Sequence, residues 1–158
     1  MKVQDVMMRT PVSCSPETNL GVAVELLWNR NCGILPIVDA EQKVVGVVTD
    51  RDLCVAFGTR NRLPGEIQVG EVATGKVFSC KSTDDIHTAL ETMAKERVRR
   101  LPVVNQQGSL EGILSMDDVV LHVETGRTAD LSQAEIVETL RRVYGPQLPQ
   151  VLNQAATA

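Results

Sequence analysis

Gly46-Val47-Val48-Thr49-Asp50-Arg51-Asp52 recurs 66 residues later as Gly112-Ile113-Leu114-Ser115-Met116-Asp117-Asp118. Each stretch ends an apolar, β-branched run of strand length and opens a segment with helical spacing, which predicts a strand-to-helix junction. At such a junction the hydroxyl of Thr49 or Ser115 and the carboxylate of Asp52 or Asp118 project into the same space at the helix N-terminus. The spacing is that of a capping box, in which the hydroxyl caps and the carboxylate reaches back to the cap amide. It also suits a ribose-phosphate ligand, with the carboxylate accepting from a diol and the hydroxyl and free helix amides facing phosphate. Spacing alone leaves both readings open.

Working outward, the same offset holds without a gap from Val3/Val69 to Leu53/Val119. Only 11 of these 51 pairs are identical, so the weight rests on conservative pairs in the same register, such as Leu20/Ile86, Val24/Leu90 and Leu27/Met93. Two copies of one structural unit follow. Each reads as a short strand, a helix, two strands and a second helix. In the first copy these are Val12 to Cys14, the apolar face of Leu20, Ala23, Val24 and Leu27, the runs Leu35 to Val38 and Val44 to Val48, and a helix from Asp50. In the second they follow from Ile86, Leu101 to Val104, Leu110 to Leu114 and Met116. The division expected is repeat one over residues 1–60, a linker over 61–68, repeat two over 69–126 and a tail over 127–158. Units of this size are marginal alone, so the two are expected to share one core.

Within the tail, Ser132 and Glu135 form a capping box with Leu131 and Ile136 as its hydrophobic staple. A helix follows with Ile136, Val137, Leu140, Val143 and Tyr144 on its apolar face, ended by Gly145-Pro146. It either packs on its own domain or serves a partner.

Composition narrows the function. A net charge of -4 and a pI near 5.2 argue against a phosphate-backbone binder, and 3% aromatic residues leave few platforms for stacked bases. No nucleic-acid partner is expected. Neither a signal peptide nor a membrane span can be placed, which suggests a cytoplasmic chain without membrane contact. The four cysteines lack Cys-x-x-Cys spacing and sit among apolar residues, so no metal site is expected and all four are read as buried thiols. No Ser-His-Asp or Cys-His set can be placed around His87 or His122, so no catalytic residue and no enzymatic activity are expected.

The paired motif, the strands Leu35-Pro36-Ile37-Val38 and Leu101-Pro102-Val103-Val104, and the opening Val3 with Val6-Met7 resemble the tandem cystathionine beta-synthase (CBS) domain pair, of the stand-alone bacterial type. The likeness runs over about residues 1–125. It implies an α/β fold of the α+β kind, with two pseudo-symmetric β-α-β-β-α repeats packed as one module, here followed by a C-terminal helix. It further implies a non-catalytic regulatory module that needs no cofactor, binds AMP, ADP, ATP or S-adenosylmethionine in clefts between the repeats, forms a homodimer and signals in trans to an effector protein. By the same resemblance Thr49 with Asp52 and Ser115 with Asp118 would hold ribose and the neighbouring phosphate. Thr10, Pro11 and Val12 with Ile34, Leu35 and Pro36 would line one adenine pocket. Lys76, Val77 and Phe78 with Arg100, Leu101 and Pro102 would line the other.

Arg97, Arg99 and Arg100 make the densest basic patch. Arg97 reads as a helix end, whereas Arg99 and Arg100 lie beyond it and, with Arg51, suit phosphate. The copies differ here: Gly33-Ile34 stands where the second has Arg99-Arg100, and Asp117 where the first has Arg51. Either both phosphate sites share basic residues across the cleft, or only one takes charged ligands well. The alternative function is a ligand-free dimeric scaffold acting through the tail helix.

Overall fold

Both copies fold the same antiparallel hairpin under the 66-residue offset. The computed structural model describes residues 1–73, 75–122 and 131–146. Its elements are β1 (Met8–Arg9), α1 (Leu20–Asn29), β2 (Ile34–Val38), β3 (Val44–Thr49), α2 (Asp50–Thr59), β4 (Cys80–Lys81), α3 (Ile86–Glu96), β5 (Arg100–Val104), β6 (Leu110–Ser115), α4 (Met116–His122) and α5 (Gln133–Tyr144). Ile34 pairs antiparallel with Thr49 as Arg100 pairs with Ser115, and both hairpins shift register after the matched residues Ile37 and Val103. Cys14 bridges Ile37 in parallel as Cys80 pairs with Val103. Each hairpin turn is held by one side chain, Asp39 or Asn105, whose Oδ1 accepts two amides of its own loop. The left-handed turn position is Gln42 in one copy and Gly108 in the other.

The helices start where their caps predict. Asn19 accepts from the Val22 amide and Asp85 from the His87 amide, so α1 and α3 open one residue later. Apolar residues at helical spacing then turn inward: Leu20, Ala23 and Leu27 in α1, Ile86, Ala89, Leu90 and Met93 in α3. Each Leu, Ile or Met side chain so removed from water contributes roughly 1.5–3 kcal/mol.

The leading segments cross between copies, which the sequence reading did not anticipate. The 3-10 turn Val3–Asp5 docks on the start of α3, the Val3 amide donating to the Asp84 carbonyl at 3.0 Å. Its counterpart Val69–Glu71 docks on the start of α1, the Val69 amide donating to the Thr18 carbonyl at 2.8 Å. Strand β1, absent from the expected element list, pairs Met8 with Ile113 at the edge of the second copy's sheet. Gly112 makes this crossing passable: a Cβ there would lie 2.7 Å from the Met8 carbonyl oxygen and 2.9 Å from the Met7 sulfur. The expected single core is therefore corrected to two. Leu20, Leu35, Ile37 and Val48 pack with Ile67 and Val69 in one, and Ile86, Met93, Leu101 and Leu114 pack with Val3, Val6 and Met7 in the other. The exchanged segments stitch the two cores into one module.

The tail helix belongs to the second core. Ser132 caps α5 in a reciprocal box with Glu135, and Leu131, Ile136 and Val143 are buried against α3. Arg142 grips Glu91 of α3 with both arms, at 2.7 and 2.8 Å. The helix thus packs on its own chain. Two of the residues assigned to its apolar face, Val137 and Tyr144, are exposed, because burial follows the narrower stripe of Ile136, Thr139 and Val143. The thiols also need correction: Cys14 and Cys80 are buried, and burial pushes them up to about 11 and about 12, but Cys32 is half-buried and Cys54 exposed. Among the described residues no helix is long and apolar enough to cross a membrane.

Candidate functional site

Both strand-to-helix junctions close as capping boxes. The Thr49 hydroxyl and amide both donate to Asp52 Oδ2, at 2.7 and 2.8 Å, and the Asp52 amide donates back to Thr49 Oγ1 at 3.3 Å. At the second junction the same three bonds join Ser115 and Asp118, at 2.6, 2.9 and 3.1 Å. The local geometry is therefore structural in both copies. It does not exhaust the carboxylates: among the described residues every hydrogen bond goes to Oδ2, which leaves Oδ1 of each aspartate able to accept from a diol.

The surroundings separate the two junctions. Thr49 and Asp52 open onto a cleft of about 690 Å³ that both copies build. The first copy contributes Ile34 and Arg51 and the second Lys76, Phe78, Arg99, Arg100 and Pro102, with Val143 and Tyr144 of α5 at the remaining side. Five cations, Arg51, Lys76, Arg97, Arg99 and Arg100, face it against two carboxylates, Asp50 and Asp52, in a chain whose net charge is -4. Several are already steered. The Arg100 guanidinium lies 3.7 Å from Asp117, and Lys76 lies 3.9 Å from Glu96 and 4.6 Å from the centre of the Phe78 ring. Arg99 donates to the Tyr144 hydroxyl at 3.3 Å, which together with nearby carboxylates holds its guanidinium firmly in the charged form. The side chains of Arg51 and Arg97 have no partner among the described residues. Arg97 takes a left-handed conformation, φ 55°, as the C-cap of α3, which turns the chain from the helix into β5.

Positions that match these cations under the offset carry none. Lys76, Arg97, Arg99 and Arg100 correspond to Thr10, Asn31, Gly33 and Ile34, and Arg51 corresponds to Asp117. Ser115 is also more enclosed than Thr49, at 8% exposure.

Of the residues singled out from sequence, Ile34, Thr49, Arg51, Asp52, Lys76, Phe78, Arg99, Arg100 and Pro102 share this cleft. Thr10, Pro11, Val12, Leu35, Pro36, Val77, Leu101, Ser115 and Asp118 are not part of its lining. Leu35 and Leu101 are fully buried in the two cores, where their side chains serve packing. Sequence reasoning missed Val98, Asp50, Val143 and Tyr144. Asp50 and Val98 adjoin motif residues and could have been taken with them, whereas nothing in the tail's periodicity says where its last turn lands.

A second depression, about 590 Å³, runs between α1 and α2 and is mostly apolar, with Val24, Leu27, Trp28, Leu53 and Phe57 along it and Trp28 84% exposed. It meets the first cleft at Gly33, Asp50 and Arg100. Among the described residues, no group of three or more His, Cys, Asp or Glu side chains is placed to hold a metal.

Comparison with known proteins agrees with this architecture. The family model of the CBS domain matches twice, at residues 3–58 and 69–125. The chain is 30% identical over 145 residues to the protein YlbB of Bacillus subtilis (strain 168), covering 91% of this chain and 97% of that one. It is 31% identical over 119 residues to inosine-5'-monophosphate dehydrogenase of Methanocaldococcus jannaschii; the match takes in 75% of this chain but spans only 23% of the dehydrogenase. The solved structure of CBSX2 in complex with AMP is 30% identical, with a TM-score of 0.66 over 77% of this chain and 94% of that one. Two family matches, a repeated hairpin register and exchanged leading segments lead to one conclusion: the chain belongs to the CBS-domain family, as a pair of CBS repeats with an added C-terminal helix.

Proposed function

We propose that the chain is a non-catalytic regulatory module that binds one adenine nucleotide in the cleft at the Thr49 junction and passes its occupancy to an effector protein in trans. The observation that carries this reading is the meeting, across the two copies, of a carboxylate oxygen free to accept from a ribose with five cations suited to phosphate. Ile34, Phe78 and Pro102 give the thin apolar surface an adenine needs. The AMP complex of CBSX2 supports the ligand class. A ligand-free scaffold acting through the tail helix is less favoured, because the apolar stripe of α5 is spent on α3.

Isothermal titration with AMP, ADP, ATP and S-adenosylmethionine tests the reading. At least one of the three nucleotides should bind more tightly than millimolar with one site per chain; if none does, the nucleotide reading is abandoned.

The module works as a homodimer in this account, through the face of α1 and α2 that carries Trp28. In the second copy the matched positions Leu90 and Ala94 are 3% and 4% exposed in the core that α5 completes; in the first, Val24 and Trp28 stand uncovered. Trp28→Glu should convert the dimer to monomer in sedimentation analysis while leaving the chain folded with its secondary structure unchanged, as for a surface change. An unchanged sedimentation coefficient would remove this face from the interface. Free thiols at Cys32 and Cys54 suit the reducing cytoplasm.

A further inference from the structure

We propose that Tyr144, carried by the C-terminal helix, is a ligand-contacting residue of the cleft, so that nucleotide binding and the docking of α5 on α3 form one coupled equilibrium. The inference rests on the nucleotide reading above and adds a residue and a moving part to it.

Tyr144 is 60% exposed and contributes little to the seating of α5, which Leu131, Ile136, Val143 and the Arg142–Glu91 pair already hold. Its ring and hydroxyl are turned to the cleft instead. The Arg99 guanidinium carbon lies 5.7 Å from the ring centre, and Arg99 donates to the hydroxyl oxygen at 3.3 Å. A phenol that accepts from arginine keeps its own O–H to donate, and a phosphate oxygen beside the arginines is the acceptor that fits. Arg99 uses one of five N–H donors on Tyr144, so the same fork can reach that phosphate. The chain has one Tyr, one Trp and two Phe, yet Phe78 and Tyr144 both line this cleft and each lies beside a cation. Phe78 also packs on the second core, whereas Tyr144, 60% exposed, is not held there by packing.

The consequence is linkage. If the docked helix supplies part of the site, ligand favours the docked helix, and undocking weakens the ligand by the same factor. The cleft is thereby connected to the tail, a segment outside the two repeats.

The test uses the full chain with ATP and AMP as probes, measuring affinity by titration and helix docking by amide exchange across Gln133–Tyr144. The wild type should bind, Asp52→Ala should lose binding, and Tyr144→Phe, which keeps the ring and loses the donor, should weaken binding about tenfold or more. Tyr144→Ala should weaken it further without changing the melting temperature of the free protein. Saturating nucleotide should slow exchange in α5 several-fold in the wild type and not in Tyr144→Ala. If the wild type binds and Asp52→Ala does not, but both Tyr144 variants bind within twofold of wild type, the inference fails and the nucleotide reading stands. Weakened binding with no change of exchange in α5 overturns the coupling. If the wild type binds neither probe, the nucleotide reading falls and takes this inference with it.

Discussion

The Thr49 and Ser115 junctions share a capping geometry to within a few tenths of an ångström, yet they face different surroundings. Five cations line the cleft at the first, and the matched positions carry no cation and one acid. The repeated hydroxyl and carboxylate are therefore the structural constant. What differs is the set of residues brought to the junction from the other copy, chiefly at the start of β5, and on the proposed reading these decide where ligand binds. The same asymmetry appears on the outer faces, where α5 completes the second core beside Leu90 and Ala94 while Trp28 of the first copy stays bare.

The sharpest way to break this contrast is to make the second copy resemble the first. On the proposed reading Arg99→Gly with Arg100→Ile removes two charge-assisted partners of a phosphate and should weaken nucleotide binding by more than about a hundredfold, on the order of 1.5–3 kcal/mol for each. The hairpin should survive, since Gly33 and Ile34 occupy the same register beside β3. Affinity within threefold of wild type, measured by titration, would show that the arginines do not define the site.

A smaller effect separates the two motif glycines. Gly112→Ala drives a Cβ to 2.7 Å from the Met8 backbone, whereas at Gly46 the nearest atom is the Cδ1 of Ile37 at 3.1 Å, the end of a side chain that can yield. Denaturation should find Gly112→Ala destabilised by roughly 2–3 kcal/mol and Gly46→Ala by about 1 kcal/mol or less. Equal losses would mean that the crossing of β1 is not the tight point.

The mildest contrast is with pH. Glu91 is held below the ordinary 4.5 by hydrogen bonding to Arg142, and Glu135 by its bonds with Ser132 and then by His87. Asp85, on the helix beneath, is lowered mainly by its hydrogen bonds from His87. A carboxylate lowered in the folded state stabilises it fully above the unfolded value, and that contribution is lost as pH falls through the lowered folded value. The contribution of these carboxylates to the docking of α5 should therefore be complete above about 5 and be lost progressively below 4.5, before the two repeats unfold. Since these groups are exposed, the effect is screened by salt. Amide exchange in α5 that rises no faster than in α1 between pH 5 and pH 3.5 would remove these pairs from the account.

Much of this architecture was legible in the residues because the two copies report on each other. The offset aligns both hairpins to the residue, and the capping box at Ser132 marks where α5 begins. What stayed hidden was non-local. Two residues of β1 carry no periodic signal, and their partner lies in the other copy. The landing place of α5 depends on how its stripe meets α3, so the sequence places Tyr144 on the apolar face although it borders the cleft. The family resemblance implies Leu35 and Leu101 in the site, but strand alternation turns them into the cores.

One titration addresses the central claim most directly: ATP and AMP into the wild type, Asp52→Ala and Asp118→Ala, with the melting temperature of each variant measured alongside. Both substitutions remove the same cap bonds and should cost similar stability, about 1 kcal/mol. Only Asp52→Ala should abolish binding, while Asp118→Ala keeps wild-type affinity and one site per chain. Loss of binding in both variants, or two equal sites in the wild type, would contradict the assignment of function to the first junction.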